Sequence, residues 1–164
     1  MEEAVADGKV RSIGLSNFPV EKIQEILDIA TVKPAALQIE INPYWNQHEI
    51  KNSLADLDIA FEAQYSLGYS DKKLLEEPVF IQLAEKYGKT VSQIILCWHI
   101  QEGNIVFPKT LSPVHMKENI DISYFELTED EMAKINGLPQ KPYYVVSDEA
   151  PDFVLTVNDY DLRE

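Results

Sequence analysis

The chain has 164 residues, with 14 Lys or Arg against 28 Asp or Glu and a formal net charge of −14 at pH 7. That balance excludes nucleic acid and an anionic membrane surface as principal partners, because both demand a basic footprint. Hydrophobic residues at 45% and charged residues at 26% are globular proportions, so a packed core is expected; a domain of this length buries roughly 70% of its unfolded surface without metals or disulfides.

In chain order, Met1 to Asp7 reads as the end of a helix and Val10 to Leu15 as a strand. Pro19 to Ala30 is helical, with Val20, Ile23, Ile26, Leu27 and Ala30 on one face and Pro19 suited to the first turn. A second strand spans Ala36 to Ile41, a helix covers Gln47 to Asp56, and a third strand covers Ile59 to Ala63. Two helices follow in succession, Pro78 to Tyr87 and Val91 to Gln101, divided by Gly88-Lys89-Thr90. The second is apolar around much of its circumference and is expected to be buried. Asn104 to Phe107 is the fourth strand and Pro113 to Asn119 a short helix. A last helix starts at Thr128, where Thr128-x-x-Glu131 forms a capping box. Gly137 to Glu164 lacks periodicity and reads as an extended C-terminal tail.

The chain contains no apolar run of about 18 residues, and Met1-Glu2-Glu3-Ala4-Val5 is acidic where a signal peptide is basic, so a soluble cytoplasmic protein with no membrane partner is expected. Cys97, the single cysteine, sits in Ile94-Ile95-Leu96-Cys97-Trp98 and reads as a small buried hydrophobe. Three scattered histidines give no zinc-ligand spacing. His99 reads as a satisfied core histidine and His48 as an exposed polar group. The acids of Glu76-Glu77 and Glu129-Asp130-Glu131 complement helix N-termini rather than perform chemistry. Trp45 either lines a pocket or covers the rim beyond the second strand.

Alternating strands and helices imply an α/β fold with a parallel sheet, whose functional groups collect at the carboxyl ends of the strands. Polar residues appear at each of those ends: Ser16-Asn17 after the first strand, Gln38, Glu40 and Asn42 on the second, Tyr65-Ser66-Leu67-Gly68 after the third, and Pro108-Lys109-Thr110 after the fourth. The last of these runs on through Leu111-Ser112-Pro113-Val114-His115-Met116-Lys117. Ser112 can cap the helix and Pro113 can start it, leaving backbone N–H groups at the positive end of its dipole beside Lys109, Thr110, His115 and Lys117. Such a loop suits a phosphate. The alternative is an ordinary strand-to-helix connection with exposed lysines, since no Gly-rich phosphate loop accompanies it.

Gly8-Lys9-Val10-Arg11-Ser12-Ile13-Gly14-Leu15-Ser16-Asn17-Phe18, Gln38-Ile39-Glu40-Ile41-Asn42-Pro43-Tyr44, Leu67-Gly68, and Ile105-Val106-Phe107-Pro108-Lys109-Thr110 with Lys117-Glu118-Asn119 together resemble the second half of an aldo-keto reductase. The likeness runs in order from Gly8 to Leu138 and includes Phe125-Glu126-Leu127-Thr128. It implies a partial TIM (β/α)8 barrel, the last four βα units with the C-terminal tail, that binds NADP(H) and belongs to an oxidoreductase of aldehydes and ketones. By motif position, Ser16, Asn17 and Gln38 would bond the nicotinamide carboxamide and Leu67 would line the pyrophosphate strap. Lys109 and Thr110 would contact the 2′-phosphate, and Glu118 and Asn119 would reach the adenine.

Two positions depart from the pattern. The aromatic that stacks on the nicotinamide falls on Gln64, with Tyr65 next in line on the opposite strand face; a one-residue shift in the turn would bring Tyr65 inward, so Tyr65 is retained as a cofactor-binding candidate. His115 stands where the family has an arginine, which weakens discrimination of NADP(H) over NAD(H) and leaves NAD(H) as the second cofactor. The family's catalytic Tyr, Lys, Asp and His belong to the first half of the barrel. None of the eight tyrosines lies in an Asp-x-x-x-x-Tyr setting, and Tyr44, Tyr143 and Tyr144 follow other elements, so no catalytic residue is assigned and the chain alone is expected to be inactive.

A complete barrel needs about 250 residues, so residues 1–164 are expected to form a single partial domain, with 137–164 as its tail: a fragment or truncated reading frame that would meet a small carbonyl substrate only in a complete barrel. The alternative is a non-catalytic nucleotide-binding or interaction half-barrel. Four strands leave two open edges, so self-association or pairing with a missing N-terminal half is expected.

Overall fold

The computed structural model describes residues 1–146 and 155–157. Helix α1 (Glu2–Ala6) precedes strand β1 (Gly14–Ser16), and the carboxylate of Glu2 anchors it by accepting the Thr31 and Val32 N–H groups at 2.7 and 2.8 Å. Helix α2 (Val20–Ile29) leads to β2 (Ala36–Glu40), α3 (His48–Ser53) to β3 (Ala60–Gln64), and a 3₁₀ turn (Gly68–Ser70), α4 (Lys72–Leu75), α5 (Pro78–Tyr87) and α6 (Val91–Gln101) to β4 (Ile105–Val106). Helices α7 (Pro113–Ile120) and α8 (Glu129–Asn136) follow.

The strands form one parallel sheet in the order β1-β2-β3-β4. Side chains alternate across it. Leu37, Ile39 and Ala63 point to one face and are buried with Ile23, Phe80, Leu83, Ile94 and Ile95 of the helices. Each such Leu, Ile or Phe contributes about 1.5–3 kcal/mol on burial. The register places Ser16, Gln38 and Glu62 side by side on the other face, which carries the clefts. An apolar face under helices and a polar face without them is the pattern of a sheet taken from a barrel wall.

Helix α6 is buried continuously from Gln93 to His99, as its composition predicts. Gly88, at φ +61°, ends α5, and a Thr90–Gln93 capping box opens α6. The predicted Thr128–Glu131 capping box opens α8. Cys97 is buried, its thiol pushed up by burial and directed at Gln101 Oε1.

Two expectations are corrected, and one short helix is added. The first strand begins at Gly14 rather than Val10: its register with β2 starts at Gly14–Ala36, before which the Ile13 carbonyl accepts from the Ala35 N–H at 2.8 Å, while the Val10 N–H turns back to the Ala4 carbonyl of α1 at 3.2 Å. Helix α4, four residues long, is too short to show a period in sequence. The segment after Gly137 is not a free extended tail: Tyr143 is buried, Lys141 N–H bonds the Tyr44 carbonyl at 2.6 Å, and β5 (Tyr144–Val146) pairs antiparallel with β6 (Leu155–Val157). The rest of the predicted tail, 147–154 and 158–164, lies outside the described residues. Among the described residues no helix is long and apolar enough to cross a membrane, and no three His, Cys, Asp or Glu side chains gather as metal ligands.

Candidate functional site

The carboxyl ends of β2, β3 and β4 enclose a cleft of about 540 Å³, lined chiefly by Gln38, Tyr65, Leu67, Tyr69, Phe107 and Lys109. A shallower one of about 380 Å³ lies beside it over β1, with Ser16, Gln38 and Glu62 in its wall, so Gln38 belongs to both. The Gln38 amide donates to Glu62 Oε2 at 2.9 Å, which fixes which end of the carboxamide is which and leaves its oxygen as the acceptor. Asn17, at φ +59°, leaves β1 in the left-handed region, and its N–H bonds the Gln38 carbonyl at 2.9 Å.

The turn after β3 is the most contorted backbone among the described residues. Tyr65, Tyr69 and Ser70 have φ of +57°, +58° and +61°, and Gly68 has +55°. Each non-glycine residue in that region costs about 1–3 kcal/mol and is retained only where its surroundings hold it. The left-handed step at Tyr65 breaks the strand alternation, so Gln64 and Tyr65, adjacent in sequence, both line the cleft. Tyr65 stacks on Tyr69 with ring centroids 3.7 Å apart and planes at 23°. Behind the turn, the Ser66 carbonyl accepts from His99 Nε2 at 3.0 Å, while His99 Nδ1 accepts from the Asn104 amide at 3.2 Å. Burial pushes the His99 imidazole down to about 4, so it is neutral near pH 7 with its proton on Nε2. An unpaired buried carbonyl would cost about 1–3 kcal/mol, comparable to the strain in the turn.

The other rim is the β4–α7 loop. Lys109 is exposed at the cleft and forms no ion pair among the described residues, whereas Lys9, Lys22, Lys51, Lys86 and Lys89 each meet a carboxylate. Thr110 Oγ1 accepts the Ser112 N–H at 3.1 Å, and Ser112 Oγ caps α7 by accepting the His115 N–H at 3.4 Å. His115 is exposed on the first turn of α7, with Glu118 and Asn119 half-buried on the following turn. The cleft thus brings together Gln38, Tyr65, Leu67 and Lys109; Ser16 and Asn17 border it at β1, and Thr110, His115, Glu118 and Asn119 extend from Lys109 along α7 outside its wall.

Glu40 and Asn42, at the end of β2, hold structure. Glu40 Oε1 accepts from the Asn42 amide at 3.0 Å and from the Tyr143 N–H at 2.7 Å, fastening the C-terminal segment. Trp45 lines a separate pocket of about 210 Å³ with His48 and Gln140. His48 is paired rather than free, its Nε2 lying 2.9 Å from Glu102 Oε2. Sequence reasoning missed Glu62 and Tyr69. Glu62 was accessible from strand register, two residues before Gln64 on the same face; Tyr69 reaches the cleft only through the left-handed turn.

A model of the Aldo/keto reductase family matches residues 1–139. The chain belongs to the aldo/keto reductase family. An aldo-keto reductase of Mycobacterium sp. (strain KMS) is 42% identical over 132 residues, covering 80% of this chain and 47% of the relative. Human aldo-keto reductase family 1 member A1 is 38% identical over 154 residues, covering 89% and 47% respectively. Among solved structures, an aldo/keto reductase from Brucella melitensis superposes with a TM-score of 0.76 at 41% identity, over 82% of this chain and 51% of that one. A Bombyx mori aldo-keto reductase in complex with NADP superposes with a TM-score of 0.77 at 33% identity, over 83% and 47%. The chain spans about half the length of these aldo-keto reductases.

Proposed function

We propose that this chain is the cofactor-binding half of an NADP(H)-dependent aldo-keto reductase, the last four βα units of its barrel, and that the Tyr, Lys, Asp and His of carbonyl reduction lie outside it. The observation that carries the reading is the convergence of Gln38, Tyr65 and Lys109 on one cleft at the carboxyl ends of the strands. The Bombyx mori relative bound to NADP supports it.

The residues present fit a dinucleotide phosphate. A cation without a carboxylate partner at the mouth of an acidic chain suits a phosphate, an aromatic ring inside the cleft suits a planar heterocycle, and a carboxamide oriented by Glu62 suits a second carboxamide. When bound, the cofactor supplies the hydride. Ser16, Asn17 and Gln38 orient the nicotinamide carboxamide, Tyr65 presents its ring to the nicotinamide, and Leu67 borders the pyrophosphate. Lys109 and Thr110 hold the 2′-phosphate, with Glu118 and Asn119 toward the adenine. His115, in place of an arginine, lacks the guanidinium fork and so gives up the bidentate contact that favours NADP(H), making NAD(H) the competitor to compare. An aldehyde or ketone is reduced only where a complete barrel adds the proton donor.

Fluorescence titration tests this. NADPH is expected to saturate a quenching signal, and Lys109→Ala to weaken NADPH about ten-fold while changing NADH by less than about two-fold, a charge-assisted phosphate contact being worth roughly 1.5–3 kcal/mol. No binding at millimolar NADPH would overturn the reading. A second reading, a half-barrel that self-associates without catalysis, is favoured by the open sheet edges at β1 and β4 and by the exposure of Ile105 and Phe107.

A further inference from the structure

We propose that His99 is a positioning residue for the cleft: its Nε2–H, held on the Ser66 carbonyl, keeps the turn after β3 in the left-handed form that presents Tyr65 to the ligand. His99 is fully buried on α6 and is not itself part of the cleft lining; its contact with the wall is the bond to Ser66 from behind. Its hydrogen bond meets the one residue between Tyr65 and Leu67, both of which line the cleft.

The tautomer is set from the other side of the ring. Asn104, buried just before β4, donates its amide to Nδ1, and the Asn104 N–H bonds the His99 carbonyl at 2.9 Å. With Nδ1 an acceptor, the neutral imidazole has one proton, and it must sit on Nε2, facing Ser66. Trp98 packs edge-on against the imidazole at 4.6 Å and restricts the ring's rotation. Burial holds the imidazole neutral through the neutral pH range, and the charged groups Lys51 and Glu102 act on it in opposite senses. Ser66 is itself buried, so loss of His99 leaves its carbonyl short of a donor.

The turn needs such a tie. Its own hydrogen bonds, Gly68 N–H to the Tyr65 carbonyl at 2.7 Å and Ser70 N–H to the Leu67 carbonyl at 2.9 Å, are local and hold equally well if the whole turn swings away from α6. The His99 bond joins the turn to the core across 33 positions of sequence. The identity of the ligand rests on the cofactor reading above; the tie itself does not.

The test compares the wild-type chain with His99→Gln, His99→Leu and Asn104→Ala, reading Gly68 amide hydrogen exchange, NADPH affinity and thermal melting. Glutamine carries an N–H donor at nearly the reach of the imidazole Nε2, whereas leucine keeps volume without a donor. His99→Leu is expected to speed Gly68 exchange at least about ten-fold relative to α6 amides and to weaken NADPH by a similar factor, with His99→Gln within about three-fold of wild type on both. Asn104→Ala, which frees the tautomer, is expected to fall between them and carries the test if His99→Leu does not fold. Unchanged Gly68 exchange in folded His99→Leu, equal damage in His99→Gln, or wild-type behaviour of Asn104→Ala would each overturn the proposal. Absence of NADPH binding by the wild type refutes the cofactor reading instead, and the exchange data still decide on the tie.

Discussion

Gly68 carries the sharpest steric demand of any glycine among the described residues. At φ +55°, a Cβ there would lie 2.7 Å from Leu74 Cδ2 and 2.9 Å from the Tyr143 hydroxyl, whose own bond to Asp71 is 3.0 Å. Gly68→Ala is therefore expected to destabilise the fold by about 1–3 kcal/mol, read as a lower denaturant midpoint, and to loosen the docking of Tyr143. Glu131 supplies a second residue-scale prediction. Burial alone would raise its carboxyl, but hydrogen bonds from Lys86 at 2.6 Å, from the Thr128 N–H at 2.8 Å and from Tyr87 at 2.7 Å bring it down to about 2. A depressed carboxylate contributes stability that is whole above its unfolded value near 4.5 and is lost as pH falls through about 2. Thermal melting from pH 5 to pH 2 should show that loss, and Glu131→Gln should flatten it; an unchanged slope would sink this assignment. Lys109 and Gln38 were legible from residue type and position alone. Tyr65 was legible only as a candidate that required a shift in the turn, because strand alternation turns it away, and the left-handed step after Gln64 supplies that shift.

Helices are held to one another by a few polar knots as well as by apolar packing. Glu102, just after α6, joins three of them: Oε1 accepts from Asn136 of α8 at 2.9 Å, and Oε2 meets His48 of α3 at 2.9 Å and Lys51 at 3.3 Å. Burial opposes the Glu102 charge, yet these partners hold its carboxyl below the ordinary range. Asn136 is in turn fixed by the Trp98 indole N–H at 2.8 Å. Glu102→Ala strands three donors in a half-buried setting and is expected to cost about 1–3 kcal/mol in urea unfolding, with Lys51→Ala costing less because Glu102 keeps its bonds to Asn136 and His48. The helices themselves were readable from periodicity, the Gly88 stop and the Thr128–Glu131 capping box, all of which are signals within four residues of one another; the Thr90–Gln93 box came only with the structure. The knots were not, since Glu102, His48 and Asn136 lie 34 or more positions apart. Helix α4 and the start of β1 escaped for the opposite reason: they are too short to carry a period, and their extent depends on a neighbour.

At the scale of the whole molecule, a parallel sheet with two open edges and a polar, uncovered face is a surface in want of a partner. Strands β1 and β4 are three and two residues long, which limits edge pairing, but Ile105 and Phe107 remain 43% and 59% exposed beside them. Light scattering of this chain at tens of micromolar is expected to report a dimer or larger species; a stable monomer would refute self-association. The charge of −14 also predicts that salt strengthens such pairing by screening repulsion between copies, while weakening NADPH binding at Lys109. What the sequence determined by itself was the alternation of elements, the family, and the chemistry available at each strand end, because composition, period and motif are local properties of the chain. The tertiary structure alone decided that Tyr65 enters the cleft, that Glu62 orients Gln38, and that Glu40 and Asp71 hold Tyr143 rather than a ligand. Each of these depends on which distant backbone comes to lie against a side chain, and on a left-handed turn whose strain is tolerated only because the surrounding contacts hold it.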